Sequence, residues 1–146
     1  MRKFERVSYA PEDTILPTRA TSNSAGYDFY SSEAVVIEPH CSHIFKTGVK
    51  VQVPTDEYLA IHVRSSVGIK KGLNLLNGTG IIDADFYNNE DNEGNICIGV
   101  YNRTETSVKI DKGERIAQGI FCKYFITDGD KPLSDVRKGG VGSSGK

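Results

Sequence analysis

The sequence has no strong charge bias. Eighteen Lys and Arg stand against nineteen Asp and Glu, giving a formal net charge of −1. A domain that coats nucleic acid carries a marked basic excess, so no stable nucleic-acid binding is expected. An anionic ligand would have to be held by a local cluster of groups. Cysteine is scarce: Cys41, Cys97 and Cys122 are odd in number and widely spaced. No disulfide framework follows, which suits a reducing compartment. No apolar run approaches the roughly 18 residues of a membrane helix. Residues 1–14 contain no apolar stretch of the kind a secretory signal needs. The expected setting is therefore cytoplasmic and away from membranes. The phosphate-binding pattern G-x-x-x-x-G-K-[ST] is absent, and no cysteine–histidine nucleophile pattern is recognisable. His40, Cys41 and His43 lie close together, but no second ligand pair sits at zinc spacing.

What the chain does contain is strand pattern. Its 146 residues suit one domain with a real core. Alternating or β-branched runs predict strands over 3–9, 34–37, 43–53, 58–63, 95–101 and 107–110. The longer run 115–126 has a length that also permits a helix. Gly119 and its β-branched and aromatic residues favour a strand. One helical turn is expected near 67–71. The fifteen glycines, with proline and asparagine, punctuate these runs as turns. Many short strands between tight turns predict an all-β sandwich or barrel. Residues 137–146, rich in glycine, cannot build a core and predict a flexible C-terminal tail beyond a β domain spanning 1–136.

Five short segments could carry chemistry. Ala25-Gly26-Tyr27-Asp28 joins a glycine to an aromatic and a carboxylate, outside any clear strand; alone it reads as a turn with a solvated Asp. Arg64-Ser65-Ser66 ends a strand. A guanidinium and two hydroxyls suit phosphate oxygens, although a surface turn with a capping serine is the plainer explanation. Residues 77–87 run from Asn77 through Gly80, Ile81 and Ile82 to Asp83, Asp85 and Phe86. They predict a hairpin held open, with Asn77 offering the donor and acceptor that a base edge requires. Asp83, at the margin of apolar surface, could act as a general base; a simple hairpin with Asx turns is the alternative. Residues 112–118 form a turn feeding a strand, with Arg115 suited to a salt bridge. The tail glycines, with Arg137 and the serines, could wrap a polyphosphate.

In their order and spacing these five segments resemble the five motifs of the trimeric dUTPase family, from Gly26 to Gly145. The resemblance implies a β jelly roll, three copies around a threefold axis, and active sites built from more than one copy. It implies a dUTP diphosphatase, giving dUMP and pyrophosphate with Mg²⁺. Such an activity limits uracil incorporation into DNA and supplies dUMP for dTMP synthesis. By the same resemblance Asp28 holds magnesium-bound water. Arg64, Ser65, Ser66 and Gln118 contact phosphates, while Asn77 and the Gly80–Ile82 backbone read uracil. Asp83 is the catalytic base. Phe86 takes the place of a tyrosine that stacks on deoxyribose, and Arg137, Ser143 and Ser144 close over the γ-phosphate. Asn88–Asn95 looks like a local elaboration after the third motif.

Val141 departs from the pattern, which has a phenylalanine there to lie over uracil. Valine cannot stack, and a lost aromatic contact of about 1–3 kcal/mol predicts weaker tail closure. The sequence leaves two other functions open. One is a dCTP deaminase, which shares the fold. The other is a regulator that binds a protein partner, expected only if the chain is phage-encoded.

Overall fold

The computed structural model describes residues 1–137 and 139–140. Twelve strands account for nearly all the regular structure: β1 (Lys3–Arg6), β2 (Thr18–Arg19), β3 (Tyr27–Tyr30), β4 (Val35–Ile37), β5 (Ser42–Lys46), β6 (Val49–Gln52), β7 (Glu57–Val63), β8 (Leu73–Leu75), β9 (Gly80–Asp83), β10 (Cys97–Asn102), β11 (Val108–Ile110) and β12 (Arg115–Lys123). A π-helical turn spans Ser66–Lys70 and a 3₁₀ turn spans Ala84–Phe86. No helix is long and apolar enough to cross a membrane among the described residues.

All the strand pairs are antiparallel. They form a five-stranded sheet in the order β2-β3-β12-β7-β9, a three-stranded sheet β5-β10-β8, and the pairs β1-β6 and β11-β4. Most neighbours are distant in sequence, as in the crossovers of a jelly roll. Alternate residues of β6, β8, β10 and β11 enter one core, with residues of neighbouring segments. Phe29, Phe45, Val49, Val51, Leu59, Leu73, Ile96, Ile98, Val100, Ile110 and Ile116 are all buried.

Four expectations change in detail. The run over 43–53 is two strands, not one. Thr47 is buried and donates its hydroxyl to Ile96 O (2.7 Å), while Gly48, at φ 73°, donates its N–H to Asn95 Oδ1 (2.9 Å). These distant partners turn the chain where the local pattern is continuous. Tyr27–Tyr30 is a strand rather than a turn, pairing with β12. The run from Arg115 is a strand and stops at Lys123, with Phe125 and Ile126 exposed beyond it. Finally, β8 and β9 do not form a paired hairpin. β8 pairs with β10 and β9 with β7, so residues 76–79 bridge two sheets and hold a gap between them.

Candidate active site

That gap is a cleft of ≈ 200 Å³, lined by Leu75, Asn77, Gly80, Ile81, Ile82, Asp83 and Phe86, with Ile61, Cys97, Ile98 and Gly99 behind them and Arg137 and Gly140 at its mouth. Local chemistry explains its shape. Gly78 turns the chain at φ 72°, with its N–H donating to Leu75 O (3.2 Å). A Cβ at Gly80 would lie 3.0 Å from Ile61 Cβ, so glycine there lets β9 lie close on β7. Strand β9 is the last in its sheet. Its outer edge has no strand partner among the described residues, and its backbone groups are available to a planar ligand.

Asp83 ends β9 and precedes the 3₁₀ turn, but its side chain makes no capping hydrogen bond. Its Oδ2 instead accepts from Arg137 Nη2 (2.8 Å). The same guanidinium donates from Nε to Asp85 Oδ1 (2.7 Å) and lies 5.8 Å from the centre of the Phe86 ring. Arg137 is thereby largely buried, its side chain 11% exposed, while Asp83 is half-exposed. Phe86 is itself buried.

A second cleft, of ≈ 280 Å³, is polar and lined by Ser24, Gly26, Asp28, Arg64, Ser65 and Gln118. Asp28 is buried in β3, where its Oδ1 forms an ion pair with Arg64 Nε (3.1 Å) and its Oδ2 accepts from Arg115 Nη1 (3.4 Å). Two guanidiniums against one carboxylate leave a local positive surplus suited to an anion. Arg64 follows β7 and opens the π-helical turn, its carbonyl accepting from Val67 N and Gly68 N at 3.0 and 2.9 Å. Ser65 sits at the start of this turn without a side-chain capping bond and lines the cleft. Ser66 lies inside the turn, and the cleft wall does not include it. Gln118, on β12, pairs with Asp28 on one side and His62 on the other. A Cβ at Gly26 would collide with Gln118 Oε1. Any side chain at the glycine of the first segment would displace the end of the glutamine of the fourth.

The two clefts share no lining residue. Asp83 pairs with Tyr58 near the start of β7, whereas Arg64 follows its end. Six residues of strand separate those positions, or about 20 Å. Within one chain, Asp83 and Arg64 cannot reach the same phosphate.

Several groups near the first cleft escape a reading by local pattern. Ile61, Leu75, Cys97 and Ile98 read as ordinary strand residues, yet they form its floor. Burial pushes the Cys97 thiol above its usual range, so it stays protonated at neutral pH. Two of the three histidines are engaged elsewhere: His40 with Tyr101 and Glu105, His43 with Glu33. Val141, Ser143 and Ser144 lie outside the described residues.

Comparison with known proteins agrees with this architecture. The family model for dUTPase matches residues 12–145. The chain is 42% identical to the deoxyuridine 5'-triphosphate nucleotidohydrolase of Lactococcus lactis subsp. lactis, covering 99% of this chain and 98% of that protein. Among solved structures, the dUTPase of Streptococcus mutans superposes with a TM-score of 0.80 at 39% identity, covering 86% of this chain and 98% of that one. The dUTPase of Staphylococcus bacteriophage 80alpha with dUPNHPP gives a TM-score of 0.74 at 26% identity, covering 92% and 89%. The chain belongs to the dUTPase family.

Proposed function

We propose that this chain hydrolyses dUTP to dUMP and pyrophosphate, at sites shared between three copies, with Asp83 activating the attacking water. The observation that carries the reading is the first cleft. It joins an unpaired strand edge, the Asn77 amide, an apolar floor, the Phe86 ring and the Asp83 carboxylate. A pyrimidine would meet Asn77 and the Gly80–Ile82 backbone, and the sugar would meet Phe86. Asp83 would then stand where a water can approach the α-phosphorus. Thymine adds a methyl group to the snug end. Cytosine presents the wrong donor–acceptor pattern, at about 1–3 kcal/mol for a buried unmatched polar edge.

The second cleft supports the phosphate side of the reading. Arg64, Ser65 and Gln118 line it, and Ser66 adds backbone at the turn. With about 20 Å of strand between the Asp83 and Arg64 positions in one chain, a phosphate held by Arg64 comes within reach of Asp83 only when that Asp83 belongs to a neighbouring copy. Exposed Phe125, Ile126, Leu133 and Val136 between β12 and Arg137 are apolar surface that a neighbour would cover. Arg137, with Ser143 and Ser144, would exchange the carboxylates for the γ-phosphate when substrate arrives.

Magnesium fits this donor set in one way only. Among the described residues no cluster of three or more His, Cys, Asp or Glu could hold an ion alone. Asp28 is a hard oxygen donor, and each of its oxygens has a lone pair beyond its contact with one guanidinium. It would therefore hold the ion through water, with substrate oxygens supplying the remaining ligands. Bound there, Mg²⁺ would offset charge on the departing pyrophosphate. The chain's own part is positioning: Arg64 and Gln118 align the phosphates, and Asp83 takes the proton from water.

In the cell this activity would limit uracil in DNA and supply dUMP for dTMP synthesis, in the cytoplasm and without stable nucleic-acid contact. The test is product release from a panel of deoxynucleoside triphosphates with magnesium. Pyrophosphate from dUTP alone is expected. Ammonia from dCTP would instead indicate a deaminase, and equal pyrophosphate release from dCTP or dTTP would contradict the pocket reading.

A further inference from the structure

Residues 88–95 form a polar loop, yet it is tightly built. Asn88, Glu93 and Gly94 take positive φ values of 57°, 60° and 90°, and Asn89 and Asn95 are buried. The Asn89 amide uses all of its hydrogen-bonding capacity. Its Nδ2 donates to Phe86 O (2.7 Å) and to Asn92 Oδ1 (2.8 Å). Its Oδ1 accepts from Asp91 N (3.0 Å) and Asn92 N (3.1 Å). From the other side, Gly94 presses on the same carbonyl, since a Cβ there would lie 2.8 Å from Phe86 O and 3.1 Å from Tyr87 Cα. The loop's outer end is anchored in turn: Glu93 accepts from Ser8 N (2.9 Å), and Tyr9 Oη donates to Asn92 O (2.9 Å).

Phe86 ends a single 3₁₀ turn of three residues, too short to fix its own orientation. Its carbonyl accepts from the Asn89 backbone N–H (3.3 Å) and, more closely, from the Asn89 side chain (2.7 Å), so Asn89 holds the backbone that carries the ring. Asn89 does not line the cleft; it acts one bond behind it. We infer that Asn89 is a positioning residue that sets the height of the Phe86 ring and with it the preference for deoxyribose over ribose. This rests on the reading of Phe86 as the wall that meets the sugar. Excluding a 2′-hydroxyl is a matter of fractions of an ångström, so the ribose analogue should register a loosened ring before dUTP does.

The test compares kcat/KM for dUTP and for UTP in wild type, Asn89→Asp, Asn89→Ala and Phe86→Ala, each well below its unfolding midpoint. Asn89→Asp keeps both acceptor bonds that order the loop but sets a carboxylate oxygen against Phe86 O. It is the informative variant if Asn89→Ala folds poorly. Asn89→Asp loses both Nδ2 donor bonds; the dUTP-over-UTP ratio is expected to fall about five- to tenfold, the effect of losing the one to Phe86 O, with a smaller change in kcat on dUTP. A purely structural role would lower thermal stability and leave that ratio in place. An unchanged ratio in the Asn89 variants, with Phe86→Ala relaxed, overturns this inference alone. An unchanged ratio in Phe86→Ala as well removes the sugar-wall reading and the inference with it.

Discussion

The Asp83 carboxylate is held by a guanidinium from far along the chain. Arg137 donates to its Oδ2 and, with a second nitrogen, to Asp85. Substrate phosphate would compete with these two carboxylates for the guanidinium. Asp83→Asn removes the proton acceptor while keeping shape, and pyrophosphate release should fall about 10²- to 10⁴-fold. Substrate affinity, read by displacement of a non-hydrolysable analogue, should change little. A variant with near-normal turnover would rule Asp83 out as the base. For Arg137→Ala, kcat/KM should fall about ten- to a hundredfold, the range of one charge-assisted contact. Arg137→Lys should rescue it poorly, since an ammonium is a point charge without the planar fork. Asp83 stands out in the sequence because glycines, two isoleucines and a nearby aromatic frame it. Its pairing with Arg137, 54 residues away, leaves no local trace.

At the level of strands, the two clefts depend on close backbone contacts. Gly26→Ala would drive a methyl group into Gln118 Oε1 and push that side chain into the polar cleft. The expected outcome is a KM for dUTP raised about tenfold, as for a displaced phosphate contact. A KM equal to wild type would show that Gln118 has no part in binding. The start of β7 carries a separate, pH-dependent contribution. A hydrogen bond from Arg2, reinforced by its charge, holds the buried Glu57 carboxyl below the usual carboxylate range. A carboxyl lowered in the folded state adds stability above its unfolded pKa and loses it as pH falls through the folded value. Thermal midpoints should therefore drop below about pH 4, and Glu57→Gln should flatten that limb. An identical pH profile in the variant would remove Glu57 from the account.

Strand legibility follows the same logic of local and distant causes. Short alternating runs such as Val108–Ile110 are readable because one face meets the core. The break at Thr47-Gly48 is not, because Asn95 and Ile96 impose it from across the sheet. Strand Tyr27–Tyr30 hides for a related reason: its Asp28 is buried only because Arg64 and Arg115 pair with it. That burial of a charge leaves no hydrophobic alternation to read.

On the scale of the whole molecule, the candidate site comes apart into two. Asp83 lies beside the start of β7 and Arg64 after its end, about 20 Å along the strand, and no residue lines both clefts. Order along the chain says nothing of this, because a motif series reads the same whether its parts meet within one copy or between copies. Only the strand register separates them. The central claim, that one chain's Asp83 serves phosphates held by another chain's Arg64, has a direct test. Asp83→Asn and Arg64→Ala proteins, each inactive alone, are mixed, unfolded together and refolded, and pyrophosphate release from dUTP is measured. If sites are shared, random assembly pairs an intact Asp83 with an intact neighbouring Arg64 in about one quarter of sites, and activity returns to about that fraction of wild type. A refolded mixture as inactive as its two parents would contradict the account.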